Sequence, residues 1–151
     1  MGTSFSKIMK RRGIGIAHTQ EDFFQLIRLR ERVFVLEQGI PLEIELDDED
    51  SRALHVVARS GRDLVGTARL VVKGKKGKIG RMAVKKGWRR KGIGGALIDF
   101  IKQIAVGMNL TELVLHAQAS AIPFYQRLGF SGTGKPFKEA GIPHLKMTLS
   151  V

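Results

Sequence analysis

The sequence predicts a mixed α/β fold, one layer of sheet covered by helices. Three observations point to it. Strand-like and helix-like segments alternate in the order β-α-β-β-β-α-β-α-β. Two segments space their apolar residues as amphipathic helices do. The chain has 151 residues, of which 43% are hydrophobic, and it shows no internal repeat or low-complexity linker, so residues 1–151 are expected to form one domain around one core.

The elements follow in order. Gly13–Ala17 reads as a short strand. Thr19 is a helix N-cap, with Asp22 three residues on as its capping-box partner. Apolar residues at 23, 26, 27, 33 and 34 then outline an amphipathic helix ending near Leu36, before Gly39 and Pro41. Leu54–Arg59 and Leu64–Val72, separated by a Ser-Gly-Arg-Asp turn, form a hairpin. A basic turn leads to a third strand of the run, Lys78–Val84. Gly87–Gly95 is a basic loop with glycines, and Ala96 to about Val106 is helical. Glu112–Ala117 is a buried strand. Ser120 is placed to cap a helix running to Leu128, with Pro123 in its first turn and Gly129 as its stop. One or two strands finish the chain, ending in Leu145–Leu149.

Charge narrows the function. Lys and Arg number 26 against 14 Asp and Glu, a net +12, so polyanions and phosphorylated ligands are favoured partners. The acids are concentrated: residues 37–50 hold seven of them and no base. There is no cysteine, which removes disulfides, thiolate metal sites and cysteine nucleophiles, and a reducing, cytoplasmic setting fits. No apolar run approaches the ~18 residues of a membrane span, and no metal site is expected. Gly2 and Ser6 match the N-myristoylation pattern formally.

The strongest local signal is Arg89-Arg90-Lys91-Gly92-Ile93-Gly94-Gly95, between a strand and a helix. The first N–H groups of a helix lack intrahelical partners and can point at an anion. Glycines let backbone approach phosphate oxygens, and arginine binds phosphate through two donors. Neither the Gly-Lys-Ser/Thr of a Walker loop nor the G-x-G-x-x-G spacing is present. A solvated basic turn is the alternative reading.

The loop resembles the Arg/Gln-x-x-Gly-x-Gly/Ala signature of the Gcn5-related N-acetyltransferases (GNAT), with Arg89, Gly92 and Gly94 at its fixed positions. Residues 115–130, LHAQASAIPFYQRLGF, resemble that family's strand-helix-Gly-Phe segment, with Gln118, Ala121 and Tyr125 where many members have Asn, Ala and Tyr. Residues 28–41, RLRERVFVLEQGIP, and 139–147, EAGIPHLKM, resemble the ElaA-like bacterial branch.

The resemblance implies a GNAT fold: a mixed, mostly antiparallel central sheet, flanked by helices and splayed between the fourth and fifth strands. It implies acetyl transfer from acetyl-coenzyme A to an amine. Backbone amides of Arg90, Lys91, Gly92, Ile93, Gly94 and Gly95, beside Arg89, would bind the pyrophosphate. Met82, Ala83 and Val84 would pair with the pantetheine arm as a strand pairs with its neighbour. Gln118 and Tyr125 would also face the coenzyme. A backbone N–H near Met82 would stabilise the oxyanion, and Tyr125 would donate to the departing sulfur.

The base is open among several residues. If residues 43–47 are extended, Glu43, Glu45 and Asp47 share one face, and that face could deprotonate an amine or attract a cationic acceptor. A solvated acidic loop is the plain alternative. Glu37 and His144 are expected to border the acceptor site by analogy. His116, on the strand beside the coenzyme gap, could relay a proton or be a hydrogen-bonded structural histidine. Trp88 would cover the coenzyme or anchor the loop. Homodimerisation is open to the chain, since related proteins often dimerise. Rival functions are a non-catalytic acyl-coenzyme A sensor, acyl-homoserine-lactone synthesis and a basic nucleic-acid-binding module. The last lacks a binding motif and carries an acidic run that repels a phosphate backbone.

Overall fold

The computed structural model describes residues 13–151; the Gly2/Ser6 pattern lies outside them. Seven strands form one sheet: β1 (Ile14–Ile16), β2 (Leu54–Ser60), β3 (Asp63–Lys73), β4 (Lys76–Val84), β5 (Glu112–Gln118), β6 (Ser131–Glu139) and β7 (Ile142–Ser150). Their spatial order is β1-β2-β3-β4-β5-β7-β6. All neighbours are antiparallel except β4 and β5. A parallel pair needs a long crossover, supplied here by helix α3 (Ile93–Gly107).

Helix α1 (Gln20–Arg30) starts as its sequence dictates. Asp22 N–H donates to Thr19 Oγ1 at 3.0 Å, and Thr19 N–H donates back to Asp22 Oδ2 at 3.3 Å. The helix then widens into a π-helical stretch, Glu31–Glu37. Asp22 is buried, where its carboxyl would be raised. Arg59 and the N–H groups of His18 and Thr19 outweigh burial and hold it well below the usual carboxylate range.

The sheet is buried on both faces. On one, Leu97, Ile98, Ile101 and Ala105 of α3 pack with Val56, Ala58, Leu70, Leu113 and Leu115, the helical spacing giving one apolar stripe. On the other, Leu26, Leu29, Val33 and Phe34 cover Val57, Leu64 and Ala83. Gly66 lets α3 approach β3: a Cβ there would lie 2.7 Å from Ile93 Cγ2.

Two expectations are corrected. Residues 43–47 are not an extended ribbon. Leu42–Glu45 forms a short helix, α2, entered from Pro41, and a 3₁₀ turn follows at Asp48–Ser51. Glu43, Glu45 and Asp47 therefore do not share a face. Ser120 is not a cap: it lies in the 3₁₀ turn Ala119–Ala121, and helix α4 (Ile122–Arg127) begins from Ala121 with no side-chain cap. Pro123 does occupy its first turn, and Gly129 stops it at φ +98°.

The sheet opens where β4 and β5 part. Only Lys76–Ile79 pair with Glu112–Leu115; beyond them neither strand meets the other. A bulge in β4 accompanies the parting, since the β3 register slips between Thr67↔Ala83 and Arg69↔Gly80. Arg81 in the bulge has φ +50°, a strained value for a non-glycine residue.

Candidate active site

The parted strands line a cavity of about 390 Å³. Met82, His116, Gln118, Tyr125, Glu139 and His144 contribute to its wall. Alternation along β5 explains part of this set. Leu113, Leu115 and Ala117 are buried in the core, while Val114, His116 and Gln118 are half-buried on the other face.

The 15-residue helix α3 starts beside this cavity from Gly92, at φ +82° and with no side-chain cap. Arg90 is also left-handed, at φ +61°. A Cβ on Gly94 would lie 3.1 Å from Phe124 Cζ and 3.8 Å from Met82 Sδ. The first turn of α3 thus lies close against Phe124 and near Met82, and the Tyr125 hydroxyl donates to Met82 Sδ at 3.6 Å. Ile93 points its side chain into the core. Lys91 Nζ lies 5.3 Å from the Trp88 ring centroid, and Trp88 packs against the core as a loop anchor. Arg89 and Glu37, assigned by sequence to different ligands, meet each other. Arg89 Nη2 donates to Glu37 Oε1 at 2.8 Å and Nε donates to Val84 O at 2.9 Å.

Tyr125 packs edge-to-face with Phe124 and Phe130, at centroid distances of 5.0 and 6.0 Å. Burial pushes its phenol up to about 12, so Oη holds its proton at all working pH values. Gln118 Nε2 donates to Gln38 Oε1 at 2.9 Å, tying the tip of β5 to the end of the π-helical stretch. Ala83 is buried, whereas Met82 and Val84 are partly buried beside it.

Glu45 is corrected from an open acidic face to a buried ion-pair partner. It is 2% exposed. Arg30 Nε donates to its Oε1 at 2.6 Å, and Arg30 Nη2 donates to its backbone O at 3.0 Å. Arg30 also reaches Asp50, at 2.8 Å to Oδ1 and 3.1 Å to Oδ2. Arg69 bonds Asp47 and Asp50. Arg81 bonds Asp47 and the carbonyls of Ile44 and Glu45. Three arginines thereby neutralise Glu45, Asp47 and Asp50 and clamp the acidic segment over one end of the cavity. Burial would raise Asp50, but Arg30, the N–H of Asp47 and Arg69 outweigh it and hold it well below the carboxylate range. Burial and the nearby Arg69 charge lower Arg81. Glu43 is exposed and lies outside the cavity wall.

At the other end stands a cluster with no sequence signature. His116 Nδ1 lies 3.0 Å from Glu139 Oε1, and His144 Nε2 lies 3.8 Å from Glu139 Oε2. His144 Nδ1 donates to Ile142 O at 2.6 Å. Phe137 separates the rings, edge-to-face on His116 and stacked on His144. Burial would raise Glu139, but the bond from His116 and the charges of His116, His144 and Lys78 outweigh it and lower the carboxyl. Glu139 went unnoticed in the sequence because 23 residues separate it from His116. Arg69 did leave a signal, a lone arginine inside the apolar strand Leu64–Val72. Among the described residues no group of three or more His, Cys, Asp or Glu is arranged to hold a metal, and no helix is long and apolar enough to cross a membrane.

Comparison with known proteins agrees with this geometry. Residues 17–151 match the family model described as an acetyltransferase (GNAT) domain. The uncharacterized N-acetyltransferase YjcF of Bacillus subtilis is 36% identical over 133 residues, covering 87% of this chain and 95% of that protein. Escherichia coli ElaA is 31% identical over 133 residues, covering 85% and 87%. Its crystal structure superposes with a TM-score of 0.80, covering 89% of this chain and 97% of that one, at 26% identity. An acyl-CoA N-acyltransferase from Pseudomonas aeruginosa superposes with a TM-score of 0.81 at 29% identity, covering 89% and 97%. The parted strands, the uncapped glycine turn and these likenesses together place the chain in the GNAT family of acetyltransferases.

Proposed function

We propose that this chain is a single-domain, acetyl-CoA-dependent N-acetyltransferase acting on a primary amine of a small cationic molecule or a protein. One observation carries the reading: the gap between β4 and β5 has Tyr125 and Met82 in its wall, and near them helix α3 starts with no side-chain cap.

The chain's residues suit coenzyme A. Helix α3 starts from Gly92 with no side-chain cap, and a Cβ at Gly95 would meet open space, so backbone N–H groups of Arg90–Gly95 can face a diphosphate. Beyond Ile79, β4 has no partner on its β5 side, so Met82–Val84 can take an amide-bearing arm as an added strand. When bound, acetyl-CoA supplies an activated acyl group on a thiol leaving group.

The acceptor must arrive at the acyl carbon without its proton, and a lysine-like amine has a pKa near ~10.4. His116 is the base assigned here, because Arg30 and Arg81 tie up the charge of Glu45. Tyr125 acts by hydrogen bonding rather than full proton transfer. Burial raises its phenol to about 12, so it keeps its proton and serves as a hydrogen-bond donor. A hydrogen bond to a developing thiolate is worth about 1.5–3 kcal/mol.

The test is coenzyme A release from acetyl-CoA across a panel of amines, with Tyr125→Phe beside wild type. Acceptor-dependent release is expected, with kcat lowered about 10- to 100-fold in the variant. Coenzyme A binding without release for any amine would instead identify an acyl-CoA sensor.

A further inference from the structure

The Glu139 cluster lies at the cavity, yet the acyl-transfer reading so far uses only His116. From its geometry we infer that Glu139 is a positioning residue, which fixes the tautomer of His116 and so makes His116 Nε2 the atom that takes the acceptor's proton. This inference rests on the transferase reading above and deepens it.

An ionised carboxylate can only accept, so the 3.0 Å contact between His116 Nδ1 and Glu139 Oε1 requires the hydrogen on Nδ1. A neutral imidazole then has its lone pair on Nε2. Without Glu139 both tautomers are open, and the one protonated at Nε2 cannot act as a base there. The carboxylate also stabilises the imidazolium that forms.

The neighbours support this assignment. His144 does not compete for Glu139 when neutral. Its Nδ1 donates to Ile142 O at 2.6 Å, which leaves its Nε2, 3.8 Å from Glu139 Oε2, without a hydrogen. Phe137 packs edge-to-face on His116 at 5.0 Å and holds the ring against rotation. The charged and titratable groups facing this cluster are Lys78 on β4, Glu139 on β6, and His144 and Lys146 on β7, with Lys146 in register beside His116. The bond from His116 and the charge of Lys78 favour an ionised Glu139, and so keep it an acceptor. Three strands meet to build the arrangement: β5 brings His116, β7 brings His144, and the last residue of β6 brings Glu139.

The step balances. The acceptor ammonium gives one proton to His116 Nε2, the freed amine nitrogen bonds to the acyl carbon, and its second proton goes to the departing sulfur. The carbon–sulfur bond breaks, and the electron pair leaves on sulfur beside the Tyr125 hydroxyl. The imidazolium returns its proton to solvent.

Two measurements on the full chain test the inference. The first is nitrogen-15 NMR of the histidine rings, with His116→Gln used to assign the signals, and it needs no substrate. Wild type is expected to show His116 with hydrogen on Nδ1, and Glu139→Gln is expected to mix or reverse the tautomers. The second is the pH profile of kcat/KM. Glu139→Gln should lower kcat/KM on the order of 10²-fold, the low end of what a positioned base contributes. It should also move the acidic limb to lower pH, because the imidazolium loses its carboxylate. Glu139→Asp should recover part of the rate, and calorimetric affinity for coenzyme A should stay as in wild type. A wild-type His116 protonated at Nε2, or a Glu139→Gln protein with unchanged tautomer and unchanged acidic limb, overturns the inference and leaves the transferase reading standing. A wild type that transfers acetyl to no amine overturns both.

Discussion

Replacing Arg30 with methionine should expose how much of this fold depends on one buried guanidinium. Arg30 is 1% exposed and Glu45 2%. Four hydrogen bonds join Arg30 to Glu45 and Asp50, two of them at 2.6 and 2.8 Å. Methionine fills much of the same space, so the loss is chiefly of charge and donors. Asp50 still has Arg69 at 3.0 Å, but Glu45 keeps only Arg81, at 3.5 Å, and its Oε2 has no hydrogen-bond partner among the described residues. Breaking a buried pair from one side costs about 3–5 kcal/mol, because the remaining charge is stranded. The surviving Arg81 contact points to the low end, about 3 kcal/mol. For a chain of this length that is a fall in Tm of about 6–12 °C. Urea denaturation at pH 7, with a thermal melt beside it, measures the effect. Glu45→Leu added to Arg30→Met should restore most of the stability, since an apolar pair replaces an ion pair at little or no cost. A loss below about 1 kcal/mol, the scale of a solvated surface pair, would refute the picture of a dry charge cluster. So would a double variant as unstable as the single one.

Three further outcomes follow from the same structure. Gly66→Ala should destabilise by about 1–3 kcal/mol in denaturant titration, because its Cβ would meet Ile93 Cγ2 at 2.7 Å; a neutral result would mean α3 shifts freely. Gly92→Ala must hold φ +82° with a side chain, so a Tm lower by about 2–4 °C, or about 1 kcal/mol, is expected, together with weaker coenzyme A binding by calorimetry. The carboxyls of Asp22 and Asp50 both titrate lower folded than unfolded. Their stabilisation is therefore complete above about pH 4 and is lost as pH falls through their folded values. Unfolding free energy should drop between pH 5 and pH 2 with a slope that Asp22→Asn reduces; an unchanged slope in that variant would refute the assignment to Asp22.

Local rules made much of the architecture readable. Thr19 with Asp22, the turn between β2 and β3, Pro123 and Gly129 act through neighbours a few residues away, so their effects survive in a one-dimensional reading. The acidic segment failed for the complementary reason. Alternation of Glu43, Glu45 and Asp47 over five residues suggests a strand, but Pro41 starts a short helix, and the partners Arg30, Arg69 and Arg81 come from other elements. Ser120 looked like a cap because its type is right; the chain instead makes a 3₁₀ turn there. The glycine turn before α3 was legible because only glycine suits its geometry cheaply. Glu139 was not, because nothing in Lys138-Glu139-Ala140 reports that β6 ends beside a histidine of β5. The strand β6 itself is almost wholly exposed, so it offers no apolar alternation to read.

The alternation along β5 has a consequence for how such an enzyme changes over generations. Leu113, Leu115 and Ala117 hold the interior, while His116 and Gln118 line the cavity where the strands part. One short ribbon thus keeps durability and chemistry on separate residues. Substitutions at His116 or Gln118 can therefore alter the cavity wall with little threat to folding, so a lineage can change what happens in the cleft while its scaffold stays put.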